Sequence, residues 1–130
     1  MTTRAQLLNE MDAIEAVARR LAQVAGRSDP QRKHDLAIAR RELAMRIMTI
    51  MTIGEDYPPI RQDPVLYGEL RQRLSVLRAA IADHQTQWSA VAIDSDDAAY
   101  IASSNAVQAA GRDFMTWVRG VVERQAVASV

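Results

Sequence analysis

Apolar residues recur along this chain at alternating steps of three and four, the spacing that lines one face of an α-helix. The first series runs Leu7, Met11, Ile14, Ala18, Leu21 and Ala25. Thr3 and Gln6 ahead of it form a capping-box pair, and Gly26 behind it suits a C′ position, which predicts a helix at about 4–25. Asp29-Pro30 supplies an N-cap and a first helical residue for a second helix, about 30–53, and Asp63-Pro64 repeats the device for a third, about 64–92. The third seam reads Tyr67, Leu70, Leu74, Leu77, Ile81, His84, Trp88 and Val91. Ile93 to Asp97 reads as a turn, with Asp96 and Asp97 set favourably at the positive end of a fourth helix dipole. That helix, about 96–126, carries Tyr100, Val107, Ala110, Phe114, Trp117, Val118 and Val121. Gly111 and Gly120 lie inside it, each costing about 1 kcal/mol against Ala. No segment alternates with period two long enough to make a strand. The pattern predicts an all-α chain, one domain over 1–130, folded as an antiparallel up-and-down four-helix bundle.

The second helix departs from a one-sided pattern. Glu42 to Ile53, ELAMRIMTIMTI, holds eight apolar residues in twelve positions. Leu36, Leu43, Ile47 and Ile50 form the main stripe, widened by Ala44, Met48 and Met51, while Ile38 and Met45 fall on nearly the opposite side. A helix apolar around most of its circumference is buried on more than one side. That requires either a partner subunit or the following GEDYPPIRQD segment folding back. Ile38 and Met45 are the candidate partner-binding residues, with a homodimer or another protein as the partner. Gly54 and Pro58-Pro59 account for the hard stop, because neither readily continues a helix.

Composition narrows the function more than it names one. The chain has no cysteine, which removes thiolate chemistry and disulfides and fits a reducing, cytoplasmic setting. Sixteen basic and sixteen acidic residues cancel, which speaks against a dedicated nucleic-acid binder. No secretory leader or membrane span is expected from the apolar runs. Fifteen of the sixteen basic residues are arginine, in keeping with a bacterial source. Arg19 to Arg46 contains eight basic and three acidic residues, which suits the wet faces of two neighbouring helices better than an anion-binding surface. Trp88, Trp117 and Tyr67 sit at core spacing.

Only two residues invite chemistry. His34, in the first turns of the second helix, is the candidate for histidine phosphotransfer, although Ala37-Ile38 stands where such domains carry a Lys-Gly pair. His84 falls on the third seam one turn before Trp88, and burial there would shift its pKa. Two histidines without cysteine cannot build a multi-histidine metal site, so no metal or other cofactor is expected. No phosphate loop, nucleophile elbow or zinc-protease helix occurs.

Three stretches together resemble the hemerythrin-like family of four-helix bundles. LLNEMDAIEAVARRL, Leu7 to Leu21, is similar to that family's first helix, where a metal-binding His is followed by Asp; Met11-Asp12 stands here. Glu55-Asp56 and Tyr57-Pro58 resemble the Glu-Asp and Tyr-Pro features that close its second helix. AAIADHQTQWSAVAIDSDDAAY is similar to its third-to-fourth junction, and Arg119 to Glu123 to the close of its last helix. The resemblance implies the architecture without the metal or oxygen binding, and an old metal pocket now filled by Met11, Met48 and Met51. Binding of another protein or of itself is the leading expectation, without catalysis. The second is a small apolar ligand in a pocket lined by Met11, Met48, Met51 and His84. The third is phosphotransfer through His34.

Overall fold

The computed structural model describes residues 1–89 and 92–128. Five helices follow one another: α1 (Arg4–Ala25), α2 (Arg32–Glu55), α3 (Pro58–Arg61), α4 (Pro64–Gln87) and α5 (Asp97–Ala128). The fold is all-α, with no strand among the described residues. α1 packs against α2 and α5, and α4 packs against α5 and α2. The short α3 bridges α2 and α4.

Most helix ends follow from local chemistry. The Thr3 side chain accepts from the Gln6 backbone while Gln6 reaches back to Thr3 N, so the predicted capping box is complete. Asp63 caps α4, its carboxylate accepting from Val65 N and Leu66 N. Asp96 Oδ1 accepts from Ala99 N at 3.1 Å, satisfying a free donor in the first turn of α5.

Other ends differ from expectation. α2 starts at Arg32, because Asp29 is occupied in a tighter turn: its carboxylate binds Arg27 and accepts from Gln31 N at 3.0 Å. Gly26 caps α1 at φ −84°, in right-handed backbone, so its value there is not a left-handed conformation. Gly54 lies inside α2, not beyond it. A Cβ at Gly54 would come within 3.2 Å of Leu70 Cδ2, so this glycine lets α2 and α4 approach closely. α4 ends at Gln87, short of the expected residue 92. Trp88 turns away with its indole buried, and its carbonyl accepts from Arg40 Nη2 at 2.7 Å. The predicted seam residue Val91 lies outside the described residues.

The short α3 is an addition to the four expected helices. Pro58 and Pro59, read as a stop, also occupy the first turn of α3, where a missing N–H does no harm. One turn is too short to show a periodicity. It folds the GEDYPPIRQD segment back and buries Tyr57 and Ile60 against the end of α2.

The core comes in two parts. The larger cluster runs from Leu7, Met11 and Ile14 through Ile47, Ile50 and Leu74 to Phe114, Met115 and Val118. The smaller gathers Val24, Ala25, Leu36, Trp88, Ile93 and Tyr100. Between them small or polar residues interrupt the apolar seams, Ala18 on α1, Arg40 on α2, His84 on α4, and Ser104 and Gly111 on α5, alongside Leu21, Ile81 and Val107. Val17 and Val24 are buried on α1 in place of Ala18 and Leu21, which are half-buried. Tyr67 and Trp117 are also half-buried at the margin of the larger cluster, and only Trp88 of the three predicted core aromatics is enclosed. On the outer side of α2, Ile38 is 43% exposed, Met45 70% and Met48 61%.

Candidate functional site

The level between the two clusters opens into a cavity of about 410 Å³. Both clusters contribute walls: Ile14, Leu43 and Met115 from one, Leu36 and Tyr100 from the other. Arg19, Arg112 and Thr116 also line it and are exposed. They belong to α1 and α5, so the cavity meets solvent between those helices.

Away from that opening, three side chains converge from three helices. The His84 ring stacks on Tyr100 at 5.8 Å between centroids and 17° between planes. His84 Nδ1 lies 2.7 Å from Ser103 Oγ. Burial pulls the His84 pKa below its ordinary 6.5, with the Arg40 charge adding to the effect, so neutral imidazole is favoured. Burial also lowers the pKa of Arg40, partly offset by Tyr100 beside it, and raises that of Tyr100. The guanidinium stays charged at any ordinary pH. Arg40 donates to the Trp88 carbonyl, and among the described residues no carboxylate pairs with it.

Most bases in the same basic stretch are paired instead. Arg20 pairs with Glu42, Arg27 with Asp29 and Asp35, Arg32 with Asp94 and Asp97, Lys33 with Asp94, and Arg46 with Glu10. The basic stretch is therefore largely neutralised within the fold. Arg119, on the cavity wall, is held by Asp12 and Glu15 at 2.9 Å each. This leaves Arg19, Arg40 and Arg112 facing one cavity, with its single acidic wall residue, Glu15, already engaged.

Of the sequence-predicted pocket residues, only His84 lines this cavity. Met11 is fully buried in the larger cluster. Met51 is half-buried and borders a separate surface recess, its sulfur 3.9 Å from Arg78 Nη1. Met48 faces solvent, because one residue beyond the inward Ile47 turns the helix by about 100°. The three methionines therefore do not fill a common interior pocket. His34 is exposed in the first turn of α2, with no hydrogen bond to another described residue. Among the described residues no group of three or more His, Asp or Glu side chains is placed to hold a metal ion. No described helix is long and apolar enough to cross a membrane.

Arg40, Ser103 and Ser104 escaped the sequence reading, though Arg40 left a signal. It lies four residues after Leu36 and three before Leu43, on the apolar stripe itself, where an arginine has no business unless something polar awaits it. Ser104 interrupts the α5 seam in the same way between Tyr100 and Val107.

The His84–Ser103 pair invites comparison with an activated nucleophile. Among the described residues no acid orients the imidazole through its other nitrogen. The neighbouring backbone N–H groups are committed to the ladders of α4 and α5, so no donor pair stands ready for an oxyanion. The pair satisfies two half-buried polar groups. No protein-family model, curated protein or solved structure matches the chain.

Proposed function

We propose that this protein is a non-catalytic binder of a small molecule, which it takes into the cavity between its long helices. The helices are arranged as an antiparallel up-and-down four-helix bundle with α3 added, a reading supported by the neighbour order and the short connections. The hemerythrin-like resemblance is compatible with it: Met11, at the position of a metal-binding His, is packed into apolar core.

The observation that carries this reading is the 410 Å³ gap between two otherwise well-filled clusters. It falls within the roughly 300–1,000 Å³ range of small-molecule sites, with apolar walls and a few convergent polar groups. Because the cavity meets solvent between α1 and α5, water has access to it, and a ligand that fills it displaces that water from apolar walls. A larger side chain at Ser104 or Gly111 would narrow it, and at Gly111 a Cβ meets nothing within 4 Å.

A backbone-amide NMR titration with three probes of equal chain length, 1-octanol, octanoate and octylamine, tests this reading. At least one is expected to give saturable shifts confined to residues around His84, Tyr100 and Ser104, and Ser104→Leu is expected to abolish them. If none of the three produces saturable shifts, the binding function is wrong.

A second reading, self-association, rests on the exposure of Ile38, Met45 and Met48 along the outer side of α2. A line of large apolar residues in water more often marks an interface than chance. Light scattering of the purified protein and of the double variant Ile38→Glu/Met45→Glu decides it. A dimer that becomes a folded monomer supports self-association, and a wild-type monomer at high concentration removes it.

A further inference from the structure

Resting on that binding reading, we infer that the ligand is an anionic amphiphile, a carboxylate head seated on Arg40 with its apolar body between the two core clusters. Three observations converge. The Arg40 guanidinium is half-buried, so it has given up part of its hydration, and in return it has two uncharged neighbours, the Trp88 carbonyl and the Tyr100 hydroxyl. Of the bases from Arg19 to Arg46, Arg20, Arg27, Arg32, Lys33 and Arg46 have an acid beside them, and of the three that do not, Arg19 and Arg41 are exposed while Arg40 is half-buried. The remaining charge on the cavity wall is of one sign: Arg19 and Arg112 stand at the opening, while Glu15 is held by Arg119.

A carboxylate fits these groups in kind. A guanidinium presents paired N–H donors that match the two carboxylate oxygens, and the bond is strongest where water is scarce. The Tyr100 hydroxyl, beside Arg40, is a further donor, kept protonated because burial raises its pKa. Ser104 adds a hydroxyl on the same wall. Beyond this polar end, Ile14, Leu43, Ile47 and Met115 offer the surface an alkyl body would cover. A cation finds no free carboxylate there, and a neutral chain leaves Arg40 as unpaired as before. Arg19 and Arg112, being exposed, keep their hydration; their field draws an anion towards the opening without holding it.

The same three probes separate this inference from the reading beneath it. Octanoate is expected to bind at least about tenfold more tightly than 1-octanol, the effect of one charge-assisted hydrogen bond, and octylamine more weakly than either. Arg40→Gln, which removes the charge, is expected to bring octanoate down to the level of octanol and leave octanol unchanged. Arg19→Gln/Arg112→Gln is expected to change octanoate affinity by less than threefold at physiological salt, where exposed charges are screened. If octanol binds as well as octanoate, the cavity is a binding site and the anionic inference is wrong. If octanoate loses its advantage in the Arg19/Arg112 variant and keeps it in Arg40→Gln, the head lies at the opening and the assignment to Arg40 is overturned. Absence of binding by all three removes the binding function itself. Should Arg40→Gln fail to fold by circular dichroism, the ranking of the three probes on the wild type still decides.

Discussion

Replacing Arg32 with Met should destabilise the fold by about 2 kcal/mol, through loss of hydrogen bonds more than loss of charge. The side chain is only 5% exposed at the junction of α1, α2 and α5. It donates to the Ala25 carbonyl at 2.8 Å, to Asp97 at 2.9 Å and to Asp94 at 3.3 Å, and its guanidinium lies 5.3 Å from the Tyr100 ring centre. The Ala25 carbonyl belongs to the last turn of α1, where no intrahelical donor remains, so orphaning it costs about 1–3 kcal/mol. The two carboxylates are 55% and 59% exposed, and each ion pair is worth about 0–1 kcal/mol. Stacking over Tyr100 adds roughly 1 kcal/mol, part of which a Met sulfur recovers. Against these stands relief from a buried charge whose Nε has no partner. For a chain of this length, 2 kcal/mol lowers the melting temperature by about 6–12 °C. Thermal and urea denaturation followed by circular dichroism measure it, with an unchanged urea slope showing that the unfolded state is not the cause. A variant melting within 2 °C of the wild type, or above it, would refute the argument and make Arg32 a net cost to the fold.

Lowering the pH should weaken the protein through His84. Its folded pKa lies below the ordinary 6.5, so the unfolded chain takes up the proton first, and this contribution is complete above 6.5 and lost as pH falls through and below it. The melting-temperature difference between wild type and His84→Gln, measured at pH 7.5 and 5.5, should shrink at the lower pH; a constant difference would show that His84 does not titrate differently on unfolding. Gly68→Ala should raise stability by about 0.5–1 kcal/mol, since its Cβ meets nothing within 4 Å. Gly54→Ala should gain nothing, because the Leu70 it presses against is itself buried; equal gains at both sites would remove the close-approach explanation. Asp63→Ala should cost about 1 kcal/mol in urea denaturation by uncapping α4.

Helix spacing, the Thr3–Gln6 and Asp63-Pro64 starts, and the Leu36–Leu43–Ile47–Ile50 stripe were legible in the chain because they depend on neighbours within a few residues. The outward aspect of Ile38 and Met45 follows from the same geometry, since seven residues return to nearly the same side of a helix. The start of α2 slipped by two residues because Arg27, outside any local cap motif, claimed Asp29. Single-turn α3 was hidden because four residues carry no period.

The cavity belongs wholly to the tertiary structure. Ala18, Arg40, His84, Ser104 and Gly111 look unremarkable one at a time, each an interruption in its own seam. Only the register in which α1, α2, α4 and α5 meet brings the interruptions together around one cavity. Likewise, sequence shows that Arg19 to Arg46 is basic. Which of those charges are answered by Glu10, Asp94 and Asp97, and that Arg40 is not, depends on helices far apart along the chain. Periodicity reports which side of a helix is apolar, whereas a site is made by what stands opposite it.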